Sequence, residues 1–380
     1  MNHSMHSMMR RFLSKSLLVV LLLPFMSCTS SNESRVIVET RTVENRYPDI
    51  YEYDLPESMT LCGETIDLTD PLTREMFDRE FTIMVWDRPQ VFMWIKRSGR
   101  YFPYFEKKLA EHGLPDDLKY LAVAESALHI TAKSGAGALG LWQIMPGTGK
   151  DLGLRVENGV IDERMSVERS TDAAIRHLKR LNGKFDNWIL SMAAYNGGDN
   201  RVNQAMKSQS VTNYFKLNLP PETERYVFRI AAIKMILENP EKFGYKIDPS
   251  RIYKPHDAKT VIVNISGRFY ITDVALVAKI NYRTFMELNP LLLGSTLPEG
   301  RYMVQVPSES RDDFVKALEK LSDPAFRSQN GFDKRYVVVQ EGDGLYSISW
   351  KTGVSVTTIM KLNNMKNSQI TPGQRLLIRD

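Results

Sequence analysis

Cysteine is nearly absent from this chain. Cys28 and Cys62 are the only two in 380 residues, too few for a disulfide framework or a cysteine-rich zinc site. Cys62, followed by Gly63, reads as a half-buried apolar residue rather than a nucleophile. Histidine is sparse as well. The six stand at 3, 6, 112, 129, 177 and 256, none at the spacing of a zinc site, so neither a metal nor a cofactor is expected. A membrane-spanning apolar run is missing too: Leu17 to Met26 is about ten residues long, against the roughly 20 that a spanning helix needs. Nor does one sign of charge dominate. The 50 basic and 45 acidic residues leave a net charge of +5 spread along the sequence, which does not imply nucleic acid and only permits an anionic polymer. What is present, 43% hydrophobic and 25% charged residues, is ordinary globular composition with length for two or three cores.

The N-terminus has the form of an export signal. Arg10, Arg11 and Lys15 precede the apolar stretch, which closes on Phe25-Met26-Ser27-Cys28 and turns at once to polar "TSSNES". This end is similar to a bacterial lipobox, with Phe25 where Leu is usual. The expectation is a lipoprotein signal peptide over residues 1–27 and a lipid-carrying Cys28, acyl chains rather than a helix holding the protein to a membrane. Cys62 is then left without a disulfide partner. Residues 28–59, rich in Ser, Glu, Arg and Thr, read as a tether.

Helical signals dominate from Asp70 to about Leu219. Met76, Phe77, Phe81 and Met84, then Val91, Phe92, Met93 and Ile95, lie close to i, i+3, i+4 spacing, and Gly99 is expected to end that helix. "RYFPYFEKKLAEHGLP" reads as a separate short helix. The next opens at Pro115-Asp116-Asp117 and continues "LKYLAVAESAL". "SVERSTDAAIRHLKRLNGKF" carries an apolar face with Gly183 as stop, "NWILSMAAYNGG" is apolar enough to be buried, and "ETERYVFRIAAIKMILENP" ends at Pro240.

Beyond about Tyr253 strands appear. "KTVIVNI" and "YMVQVP" bracket two short helices, and so do "RYVVVQ" and "QRLLIRD". The two stretches superpose at an offset of 74, pairing Ile271 with Leu345, Val274 with Ile348, Asn289 with Asn363 and Pro298 with Pro372. This is an internal repeat of one β-α-α-β unit. Its copies take residues 258–308 and 334–380; the linker at 309–333 contains the helix "ESRDDFVKALEKLS".

Chemistry is most visible at Glu125. Leu118, Leu121, Ala122 and Glu125 share one helix face, so the carboxyl group emerges among apolar side chains, where its charged form is disfavoured and its pKa rises. The bland alternative is a glutamate at a helix end that reaches solvent. Downstream, Gly135, Gly137 and Gly140 form G-x-G-x-x-G. A dinucleotide loop of that pattern follows a strand, and here a helix precedes it. The small residues from Ser134 to Gly140 instead let a sugar approach the backbone.

"ES" at Glu125-Ser126, "GLWQ" at 140–143 followed by "MPGTG", "AYN" at 194–196 and "ETERYV" at 222–227 occur in this order. With them the sequence resembles the lytic transglycosylases of the soluble-lysozyme-like type, in the membrane-bound D class that carries C-terminal LysM modules. The copy at 334–380 resembles a LysM module through Gly342-Asp343, Ile348, Asn363 and Pro372-Gly373, with Gly344 where Thr or Ser is usual; the copy at 258–308 has Gly267-Arg268 instead and is LysM-like, with a structural spacer as its alternative role.

The resemblance implies a mainly α, lysozyme-like catalytic domain over residues 101–250, preceded by a helical extension at 60–100 and followed by small α+β modules. It implies cleavage of the β-1,4 bond between N-acetylmuramic acid and N-acetylglucosamine of peptidoglycan, leaving 1,6-anhydromuramic ends. Glu125 would be the catalytic acid. Ser126 would orient it or serve as a helix-end hydroxyl, and Tyr195 would sit beside it. Gln143, the backbone at Gly140 and Leu141, and Asn196 would bind glycan, while Glu222 and Tyr226 would line the cleft and Trp142 would pack in the core. The expected partners are glycan strands and a membrane, reached through the lipid on Cys28; the expected location is the periplasmic side of the cell envelope, at the outer membrane. Two alternatives remain: a hydrolytic muramidase using Asp186 or Glu163 as a base, and a non-catalytic glycan-binding scaffold.

Overall fold

In the computed structural model, residues 52–332, 335–352 and 354–379 are described. The expected signal peptide, Cys28 and the tether up to residue 51 lie outside them.

The described chain begins with a β-hairpin, β1 (Ser58–Leu61) and β2 (Glu64–Asp67). Its two-residue turn is Cys62-Gly63, both at positive φ, the geometry that suits the twist of a tight hairpin. Cys62 is buried rather than half-buried, and burial pushes its thiol up, away from the reactive thiolate.

Asp70 caps α1 (Pro71–Trp86) by accepting from the Thr73 N–H at 2.9 Å, with Pro71 at the first position. Asp87 then caps α2 (Arg88–Glu111), which runs unbroken through Gly99 and Pro103. The expected stop at Gly99 is therefore wrong. A Cβ there would lie 2.2 Å from Ile252 Cγ2, so this glycine admits a crossing chain instead of ending a helix.

A 3₁₀ turn at Asp116–Leu118 leads into α3 (Lys119–Ser126), and α4 (Pro146–Asp151) follows. A short hairpin comes next, β3 (Val156–Glu157) with β4 (Ile161–Asp162). Then come α5 (Val167–Phe185), which continues past Gly183 to a left-handed Asp186, α6 (Trp188–Gly197), α7 (Asp199–Gln209) and α8 (Pro221–Glu238). α6 is buried from Ile189 to Ala194, as its composition predicts. One hydrophobic core runs from Leu61 to Tyr245, with α8 packed on α1, α3 and α6. The helices at 71–100 therefore belong to the same core as the acid rather than forming an extension to it.

The first repeat copy pairs β5 (Ala258–Ile265) antiparallel with β8 (Gly300–Pro307). Between them lie β6 (Phe269–Tyr270), α9 (Ile271–Val277), α10 (Tyr282–Leu288) and β7 (Thr296–Leu297). Two helices follow, α11 (Arg311–Ser322) and the unforeseen α12 (Pro324–Gln329). α11 is no linker: Phe314, Ala317, Leu318 and Leu321 are buried in the core of the first copy, and Phe314 stacks on Phe285 at 5.8 Å.

The second copy has β9 (Arg335–Val338), α13 (Leu345–Thr352), α14 (Val356–Leu362) and β10 (Arg375–Arg379), around a small core of its own. The repeat is visible in its hydrogen bonds. Asn289 donates to Phe285 O and Gln305 O, and Asn363 donates to Ile359 O and Leu377 O. Each asparagine thereby ties the second helix to the last strand. The strand partner comes 16 residues after Asn289 but 14 after Asn363, so the offset of 74 holds through the helices and slips by two before the final strand.

Candidate active site

α3 ends abruptly because Ala127 and Leu128 both take left-handed backbone, at φ 52° and 57°. Each such residue without a glycine's freedom costs on the order of 1–3 kcal/mol and persists only where its surroundings over-determine it. Here they do: Ala127 N–H donates to Val123 O at 2.8 Å, Arg97 Nη1 donates to Ala127 O at 2.9 Å, and the Leu128 side chain is buried. The reversal leaves Glu125 and Ser126 on the last turn of α3, at the edge of a cavity of about 550 Å³. Met84, Trp94, Lys133, Gln143 and Arg229 also border it. This is the size of a small-ligand cleft.

Behind Glu125, α8 brings up Tyr226, whose hydroxyl donates to Glu125 Oε1 at 2.5 Å. Burial pushes the Glu125 carboxyl up to about 7, while the Tyr226 hydrogen bond and the Arg229 charge pull it down and Glu222 adds to the rise. Burial also holds the Tyr226 and Tyr195 hydroxyls well above their usual range, so both remain protonated donors. Tyr195 donates to Trp142 O at 2.7 Å. It fixes the backbone next to the acid.

The remaining expected residues divide sharply. Gln143 borders the cavity at φ 45°, and its Nε2 donates to Ala132 O and Gly140 O, both at 2.9 Å, closing its own loop. The Ser126 hydroxyl does not hydrogen-bond to the Glu125 carboxyl. It donates to Ala122 O at 3.0 Å and Leu141 O at 2.8 Å, pinning the "GLWQ" loop to the end of α3. Leu141 and Trp142 are fully buried, and Trp142 Nε1 donates to Thr171 Oγ1 at 3.0 Å.

Gly140 faces protein rather than ligand. A Cβ there would lie 2.0 Å from Arg164 O, and φ is 85°. Of the glycines expected to admit a sugar, only Gly135 and Gly137 have open space where a side chain would be. Tyr226, 1% exposed, lies behind the acid instead of lining the cleft. Glu222 is exposed and paired with Arg229 at 2.8 Å, which keeps its carboxyl below the usual range. Asn196 accepts from Thr223 Oγ1 at 3.0 Å through its Oδ1. Neither Asn196 nor Glu222 is among the residues bordering the cavity.

Sequence reasoning missed Arg229, Trp94 and Met84. For Arg229 a signal existed, since Glu222, Tyr226 and Arg229 stand at i, i+4 and i+7 on α8. Nothing local marks Trp94 or Met84 as more than core positions. The two candidate hydrolytic bases lie elsewhere: Asp186 is exposed beyond α5, and Glu163 is buried, accepting from Arg155 N–H at 2.9 Å and pairing with Arg169 at 3.4 Å. The second carboxylate that does border the cavity is Asp87, exposed and accepting from Gln90 N–H at 3.2 Å as the cap of α2. No group of three or more His, Cys, Asp or Glu able to hold a metal occurs among the described residues.

Residues 102–218 match the family described as the transglycosylase SLT domain, and residues 337–379 match the LysM domain. The chain thus carries a stretch similar to the SLT domain and, C-terminal to it, a stretch similar to the LysM domain. The SLT match ends before α8, although that helix supplies Tyr226 and Arg229 to the site. Membrane-bound lytic murein transglycosylase D of Escherichia coli (strain K12) is 33% identical over 296 residues, covering 74% of this chain and 64% of that protein. The chain thus spans less than two thirds of the length of that relative. The peptidoglycan transglycosylase gp16 of Escherichia phage T7 is 42% identical over 100 residues, 26% of this chain and 8% of that protein. Among solved structures, the 70 kDa soluble lytic transglycosylase of Escherichia coli aligns with a TM-score of 0.33 and 21% identity, over 49% of this chain and 32% of that one.

Proposed function

We propose that this chain cleaves peptidoglycan glycan strands by transglycosylation, breaking the β-1,4 bond between N-acetylmuramic acid and N-acetylglucosamine and closing a 1,6-anhydro ring on the muramic acid. The observation that carries the reading is a single carboxyl group, Glu125, raised to about 7 at the edge of a cleft in a chain matching the SLT domain. A carboxyl with that pKa is part acid and part base at neutral pH, which suits a group that must give a proton and take one back.

In the first step Glu125 donates its proton to the glycosidic oxygen and the C1–O bond breaks, releasing the N-acetylglucosamine end. The muramic acid acetamido oxygen supports the cationic C1. Glu125 is then a carboxylate, and the Tyr226 hydroxyl stabilises it. In the second step the C6 oxygen bonds to C1, and the C6 hydroxyl proton returns to Glu125. No water enters the balance and no second carboxylate is required, unlike ordinary glycosidases. Gln143 would hold sugar from the loop side and Arg229 from the α8 side of the cavity. Asn196 and Glu222 would bind glycan beyond it.

The LysM match at 337–379 supports retention on the sacculus. The name of the relative, membrane-bound lytic murein transglycosylase D, supports an envelope location. A lipid on Cys28 would provide the membrane attachment at the periplasmic face of the outer membrane. No helix among the described residues is long and apolar enough to cross a membrane. Fractionation of Cys28→Ser tests the anchor: loss from the membrane fraction is expected, and firm retention there would refute lipidation at this residue. Mass spectrometry of digested peptidoglycan tests the reaction, with 1,6-anhydro products expected and reducing-end muramic acid marking hydrolysis.

A further inference from the structure

The first repeat copy is bound to the SLT domain by its own chain. Leu139, Ile161 and Met165 are buried in the same cluster as Val261, Ile271 and Val304 of that copy. Backbone pairing crosses the boundary both ways: Asp162 N–H donates to Leu291 O at 2.8 Å, and Leu293 N–H donates to Val160 O at 2.9 Å. Arg155 donates to Arg301 O at 2.9 Å and lies over the Tyr302 ring at 4.9 Å, while Gln305 donates to Glu168 at 2.6 Å. Gly294 sits so close that a Cβ would lie 2.8 Å from Gly159 O.

The segment consumed in this contact follows Asn289. In the second copy the stretch after Asn363 is exposed from Lys366 to Gln369. One repeat unit thus has this loop free and the other has it filled by the β3–β4 hairpin.

From β4 a buried connection runs to the catalytic loop. The Asp162 carboxylate takes Arg164 Nε at 2.9 Å and Nη2 at 2.7 Å, both side chains being almost fully enclosed. Arg164 Nη1 then donates to Gly137 O at 2.8 Å and Ile144 O at 2.9 Å. Those carbonyls flank Gly140 to Gln143, the segment held to Ser126 next to the acid. A buried pair of this kind contributes little net stability but fixes geometry, because neither charge tolerates losing its partner.

We propose that residues 258–308 are a brace for the catalytic loop rather than a second glycan grip, with Arg164 as the positioning residue that transmits the docking. The kinetic arm of this proposal rests on the transglycosylase reading; the exchange arm does not.

The test uses the full chain with Arg155→Ala and, separately, Gly294→Leu, neither of which borders the cavity. Amide exchange at Leu139, Gly140 and Ile144 is expected to accelerate about tenfold. Turnover of soluble glycan fragments is expected to fall about tenfold in kcat, with binding to insoluble peptidoglycan kept within about twofold. Arg164→Ala should show the same pattern more strongly, and a collapsed Arg164→Ala leaves the two docking variants to decide. Unchanged exchange and kcat would overturn the brace. So would loss of peptidoglycan binding with unchanged exchange, which would make this copy a grip. A wild-type chain with no turnover would defeat the transglycosylase reading instead, and exchange alone would then judge the brace.

Discussion

Burial and hydrogen bonding pull the Glu125 proton in opposite directions, and burial wins. The folded pKa of about 7 lies above the ordinary 4.5, so the folded state favours the protonated form. The stability contribution is fully present below pH 4.5 and is lost as pH rises through about 7. Glu125→Gln, which cannot ionise, should therefore unfold at a higher temperature than wild type at pH 8, by up to about 3 kcal/mol, with the advantage gone at pH 4. Tyr226→Phe removes the bond that favours the carboxylate, so the alkaline limb of the pH–rate profile should move upward; a downward or absent shift would mean Tyr226 does not govern this proton. The helix face carrying Glu125 was legible, since Leu118, Leu121 and Ala122 stand at helical spacing before it. Its contact with Tyr226 was not, because 101 residues separate the two and only the packing of α3 on α8 joins them.

Between elements, one glycine shows how far a pattern carries. Gly135, Gly137 and Gly140 look alike as letters, but among protein atoms something approaches the backbone closely only at Gly140. At Gly140 that something is Arg164 O, a neighbour 24 positions away that no local pattern announces. Gly140→Ala must meet both that carbonyl and a positive φ, and should lower stability by about 2–4 kcal/mol in urea or thermal unfolding. Gly135→Ala meets nothing within 4 Å and should stay within about 0.5 kcal/mol of wild type. Equal effects at the two sites would remove the packing explanation. Gly99 and Gly183 illustrate the reverse error: both were read as helix stops, and α2 and α5 continue through them because tertiary contacts outweigh a propensity difference of about 1 kcal/mol.

For the molecule as a whole, the mainly α domain and the βααβ modules were both legible from the change of hydrophobic period near Tyr253 and from the repeat. Docking between them was not, because the hairpin at 156–162 carries only short strands and its partner lies some 130 positions later. The second copy has a core that shares no residue with the other two. Removing residues 335–380 should leave the main calorimetric transition in place while reducing retention on purified sacculi. A large drop in that transition would show that the cores are coupled. The products of the reaction test the transglycosylase reading most directly. Purified peptidoglycan digested by wild type, Glu125→Gln and Asp87→Asn, then read by mass spectrometry, should give 1,6-anhydromuramic ends with wild type and Asp87→Asn and none with Glu125→Gln. Reducing-end muramic acid from wild type, or undiminished cleavage by Glu125→Gln, would contradict it.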